Sequence, residues 1–122
     1  MFSARMLALA ACISQPPPEP EVMPPLSGAV SAVVHHLRDG LAEHDAGRPS
    51  FATQEWDLAW TRFQRDVQPH LRRTDAMGSL KLELAFGQLR DELGERGPVP
   101  TETATKVWSA MCDLANTPEA CP

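Results

Sequence analysis

The chain contains no tyrosine and only 6% aromatic residues, no glycine-rich loop and no long apolar run. Each absence excludes something. A helix that crosses a bilayer takes about 20 consecutive apolar residues, and no stretch reaches that length. There is no Gly-x-Ser-x-Gly elbow, no phosphate-cradling glycine loop, no His-Glu-x-x-His pair and no Cys-x-x-Cys-His site. The motif arguments for a serine hydrolase, a kinase, a zinc protease and a cytochrome c are therefore missing. Positive charge is also scarce: 11 Lys and Arg face 16 Asp and Glu, a net charge of -5, with no basic stripe to compensate. Such a surface repels phosphate backbones, so nucleic acid is not an expected partner. No catalytic residue and no cofactor is assigned, and the chain is not expected to be an enzyme.

Proline is abundant by contrast, 12 in 122 residues, gathered near the beginning and in the loops. Ahead of the first of them stand a positive charge at Arg5, the short apolar run Met6-Leu7-Ala8-Leu9 and the small residues Ala10 and Ala11. That order is the pattern of a secretory signal. Leu9-Ala10-Ala11-Cys12 resembles the lipobox of bacterial lipoproteins. The resemblance implies cleavage before Cys12, acyl chains on Cys12, a signal peptide over residues 1–11, and a lipid-anchored protein of the cell envelope facing the periplasm or the outside. An ordinary terminus with an idle cysteine is the other reading of these residues. Residues 12–26 include Gln15-Pro16-Pro17-Pro18-Glu19-Pro20 and Pro24-Pro25. Proline lacks the backbone donor and fixes its own φ, so the stretch favours polyproline II, a semi-rigid tether of about 3 Å per residue.

Residues 27–122 carry helical periodicity and no strand-like alternation. Residues 27–45 align Val30, Val33, Val34, Leu37 and Leu41, with Ser27 as the expected N-cap. Gly40 weakens this segment and Gly47-Arg48-Pro49 ends it. Residues 50–73, with Ser50 as the expected cap, carry the heaviest stripe: Ala52, Trp56, Ala59, Trp60, Phe63, Val67 and Leu71. Pro69 should kink or break that helix. Residues 76–94 follow a cap at Thr74 or Asp75 and present Leu82, Ala85, Phe86, Leu89 and Leu93 on one side. Met77, Leu80 and Leu84 lie nearly opposite. A helix apolar on two sides needs cover on both, from another helix of the same domain or from a partner. The last segment starts near Thr101 with Ala104, Val107, Trp108, Met111 and Ala115. Four segments with short connections predict an all-α, antiparallel up-and-down four-helix bundle.

With Cys12 set aside, Cys112 and Cys121 remain as a pair. In an oxidising compartment they predict a disulfide that clamps the tail to the last helix; a thiol pair for metal is the rival reading. Among the histidines, His35 and His36 diverge by about 100° on a helix and do not chelate together. His44 and His70 fall on apolar faces but at opposite ends of a hairpin, so a joint site is not expected. Glu55, Asp57, Asp91 and Glu92 read as polar-face acids, and Glu83 as the acid to watch for burial. No metal ligand is assigned.

The run Trp60-x-x-Phe63-x-x-x-Val67, then Leu71, Asp75 and Leu82-x-x-x-Phe86-x-x-Leu89-Arg90, is similar to helical hairpins of the periplasmic domains of bacterial iron permeases and of imelysin-like iron-binding proteins. The His-x-x-Glu motif of the latter and the Arg-Glu-x-x-Glu motif of the former are missing, so the resemblance transfers no ligand. The expectation is a small envelope lipoprotein whose bundle binds or positions an envelope protein, without catalysis, through Met77, Leu80 and Leu84. The alternative is a periplasmic accessory protein that handles iron or copper.

Overall fold

The periodic segments become five α-helices and a closing 3-10 turn in a computed structural model that describes residues 25–121. The helices are α1 (Leu26–Asp45), α2 (Pro49–Asp66), α3 (Gln68–Thr74), α4 (Ala76–Gly94) and α5 (Thr101–Leu114), with the 3-10 turn at Pro118–Ala120. No strand occurs among the described residues. The proposed signal peptide, Cys12 and the proline stretch up to Pro24 lie outside them. None of the described helices is long and apolar enough to cross a membrane.

The architecture is a helical bundle with one helix more than the four expected. Pro69 accounts for the difference: the second segment breaks at Val67, and Pro69 sits in the first turn of α3, where its missing N–H has no partner to lose. Two expected caps are corrected. Ser27 lies inside α1, which starts at Leu26, and Ser50 lies inside α2, where Pro49 takes the first position and presets the helical φ. Asp75 does cap α4, its Oδ1 accepting from the Gly78 amide at 2.8 Å.

The α1–α2 hairpin is the most extensive helix–helix contact among the described residues. It turns at Gly47, whose φ of 77° suits glycine. Gly40 is what lets the two helices approach, since a Cβ there would stand 3.3 Å from the Ala52 carbonyl oxygen. The expectation that Gly40 merely weakens α1 is thus incomplete. Val30, Val33 and Leu37 of α1 are fully buried with Ala52, Ala59 and Phe63 of α2 and with Leu89 and Leu93 of α4. Between α2 and α4 the aromatic rings cluster: Phe63 and Phe86 have centroids 4.8 Å apart, Trp60 and Phe86 5.3 Å, and Trp56 stacks on Trp60 at 5.5 Å. The Trp56 indole N–H donates to the Phe86 carbonyl at 2.8 Å, so this large buried ring leaves no orphaned donor.

α4 buries Leu82, Phe86, Leu89 and Leu93. Its other apolar side is not covered by any described residue: Met77, Leu80 and Leu84 are 62%, 50% and 67% exposed. Cover by another helix of the domain is therefore corrected. At the C-terminus Cys112 and Cys121 are joined in a disulfide with Cα atoms 6.2 Å apart. The bond ties the residue after the 3-10 turn to α5, and the turn, with buried Ala120, lies against α1.

Candidate metal centre

His36 and Asp39 stand three residues apart on α1, the spacing that puts two side chains on one helical face. The hairpin then sets the third member. Asp39 and Glu55 are equally far in sequence from the turning residue Gly47, so an antiparallel pairing brings them level. His36 Nδ1 lies 3.0 Å from Glu55 Oε2. One donor atom from each of His36, Asp39 and Glu55 falls within 4.8 Å of the other two, and all three side chains are partly buried.

An imidazole nitrogen and two carboxylate oxygens form a donor set for borderline and hard divalent ions, with zinc, iron(II), cobalt(II) and manganese(II) in range. Copper(II) heads the general affinity order for such donors. Copper(I), which selects thiolate and thioether, finds neither here. A tetrahedral ion holds donors about 2.0 to 2.2 Å from itself, so the cluster must close by roughly an ångström, a motion within reach of partly exposed side chains. Three protein donors leave at least one position for water or another ligand. His35 Nε2 lies 3.3 Å from Asp39 Oδ2 and steadies that carboxylate from outside the cluster.

Beside the cluster a cavity of about 230 Å³ is bounded by His36, Leu58, Thr61, Arg62 and Arg65. Arg62 Nε is 2.6 Å and Arg65 Nη2 3.0 Å from the same Asp66 carboxylate oxygen. The hydrogen bond from Arg65 holds the Asp66 carboxyl below its ordinary pKa; partial burial opposes this, and the charges of Arg65 and Arg62 assist it.

The other residues of interest are dispersed. His44 is buried and its Nε2 donates to the Glu95 carbonyl at 2.8 Å, at the edge of a larger cavity of about 400 Å³ that also includes Asp45 and Arg96. His70 is partly buried on α3, and neither histidine enters the cluster. Glu83, the acid watched for burial, is partly buried and accepts from Gln68 and, at 2.7 Å, from Arg72. Met77, Leu80 and Leu84 form an exposed apolar strip on α4, distinct from the cluster, and Cys112 and Cys121 are occupied with each other. The sequence reading assigns no metal ligand and misses all three members: it sets His36 apart from His35 as no chelate, reads Glu55 as a polar-face acid and does not single out Asp39. The available signal was His36-x-x-Asp39 on one helix face with Glu55 opposite across a short turn.

No family model matches the chain, and no curated protein and no solved structure matches it either.

Proposed function

We propose that this small all-α protein binds a divalent transition metal ion through His36, Asp39 and Glu55 and serves as a non-catalytic metal-handling accessory. The observation that carries the reading is the convergence of one imidazole and two carboxylates from two helices, with donor atoms within 4.8 Å. A closed structural site surrounds its metal with four protein ligands in a dry interior. Three half-exposed ligands suit capture and release better. The lipobox-like Cys12 and the proline stretch support a place at the cell envelope, tethered by lipid, and the Cys112–Cys121 disulfide fits an oxidising compartment. Titration of the purified protein with cobalt(II) or zinc at micromolar levels tests the site. Wild type should take up one ion and Glu55→Gln should bind it at least tenfold more weakly. Absence of uptake by wild type, or equal uptake by both, overturns the proposal. A Cys12→Ser change should release the protein from membranes.

A second reading, docking of an envelope protein on α4, is favoured by the exposure of Met77, Leu80 and Leu84 along one side of that helix. It is compatible with the first, because the strip and the cluster share no residue.

A further inference from the structure

The cavity next to the cluster differs from an ordinary polar groove in three respects. First, two guanidinium groups, Arg62 and Arg65, share one carboxylate, Asp66, so its wall carries an excess positive charge. Second, Leu58 forms part of the wall although it is 52% exposed, an apolar surface with nothing of the described chain over it. Third, His36 belongs to both places: Nδ1 faces Glu55, while no group among the described residues pairs with Nε2. Metal-bound histidines ordinarily donate their second ring N–H to a carboxylate or carbonyl, which fixes the tautomer and raises ligand basicity. The described residues supply no such acceptor, but they do supply a cationic cavity beside the ring.

We propose that this cavity binds the carboxylate of a small organic acid, with Arg65 and Arg62 pairing the anion, His36 Nε2–H donating to it and Leu58 covering its alkyl part. The inference rests on the metal reading in one respect: the anion and the ion at Nδ1 meet through a single imidazole and reinforce one another. An ion at Nδ1 draws electron density from the ring and makes Nε2–H a stronger donor. A carboxylate at Nε2 makes Nδ1 a stronger ligand. Linkage requires that the two enhancements be equal. Organic acids are favoured over inorganic oxyanions because of Leu58, which a sulfate or phosphate leaves wet. Bound together, metal and acid would be carried as a pair.

Cobalt(II) binding, followed by its visible absorption at equal free cobalt and constant ionic strength in chloride, butyrate or sulfate, tests the proposal on the full chain. Butyrate should tighten cobalt binding about fivefold or more, the lower range of ordinary coupling between two sites. Sulfate should give a smaller gain. Arg65→Gln and Leu58→Ser, both at exposed positions, should bind cobalt in chloride as wild type does; Arg65→Gln should lose the butyrate gain and Leu58→Ser should reduce it to the gain seen in sulfate. Unchanged affinity in all three salts, with cobalt bound, removes the anion site and leaves the metal site standing. Equal gains in sulfate and butyrate overturn the assignment of an organic acid. If cobalt binds in none of the salts, the metal reading falls and the coupling with it. The anion site is then decided by butyrate titration of the metal-free protein: a His36 imidazole NMR shift present in wild type and lost in Arg65→Gln supports it, and no shift overturns it.

Discussion

Gly40 of α1 faces the carbonyl of Ala52 of α2 so closely that a Cβ would stand 3.3 Å from the oxygen, with the Glu55 Cβ 3.6 Å away. The same close approach that packs the hairpin sets the distance between Asp39 and Glu55. Gly40→Val should therefore lower stability by about 1 to 3 kcal/mol, the range for overpacking, and weaken metal binding as the helices part. Denaturant unfolding and cobalt titration on one sample check both effects. Full metal affinity in a destabilised variant would separate the hairpin spacing from the site.

Glu55 and His36 are partly exposed, and pairs of that kind contribute about 0 to 1 kcal/mol to stability. His36→Ala and Glu55→Gln should accordingly unfold close to wild type without metal, yet lose the rise in Tm that added zinc confers on the wild type. Thermal melts with and without zinc provide the readout.

Asp66 gives a pH dependence of defined sign. Its folded-state pKa is held down, first by the hydrogen bond from Arg65, so its contribution to stability is complete above the unfolded carboxyl value and lost as the pH falls through the folded one. Asp66→Asn should be less stable than wild type above about pH 5, and the gap should narrow below about pH 3. Urea unfolding at several pH values measures it. A constant gap would mean that Asp66 acts through shape alone.

Two leucines on α4 should behave oppositely. Leu82 is 2% exposed, and truncation to Ala should destabilise by about 2 to 5 kcal/mol. Leu84 is largely exposed, and Leu84→Glu should change stability by no more than about 0.5 kcal/mol while weakening any association through Met77, Leu80 and Leu84. Paired unfolding curves and crosslinking in cells test the contrast.

The Cys112–Cys121 bond closes a loop across nine positions of sequence, and its loss should lower stability by about 2 to 3 kcal/mol. Replacing both cysteines by Ser and comparing Tm with that of the wild type under reducing conditions checks this. The two losses should agree.

Much of the fold is legible along the chain because helix periodicity and chain-breaking chemistry are local. The stripe through Trp56, Ala59 and Phe63 announces a buried face, and the proline at 69 announces the interruption that yields α3. For Cys112 and Cys121 the sequence leaves a disulfide and a metal-binding thiol pair open, and the tertiary structure joins them in a disulfide. Caps were less legible: Ser27 and Ser50 have the right chemistry, but Leu26 and Pro49 already continue the helices beyond them. The fate of Met77, Leu80 and Leu84 depended on whether another element crosses that side of α4.

The chain alone thus announces the helical segments, an interruption at Pro69 and a candidate pairing of Cys112 with Cys121, because each depends on neighbours along the chain or on a count. Only the tertiary structure shows that His36, Asp39 and Glu55 meet, that Arg62 and Arg65 share Asp66 beside them, and that one apolar side of α4 is left uncovered by the described residues. These depend on the rotation and axial register of one helix against another. Gly40 and the turn at Gly47 set that register, and no periodicity within a single helix encodes it.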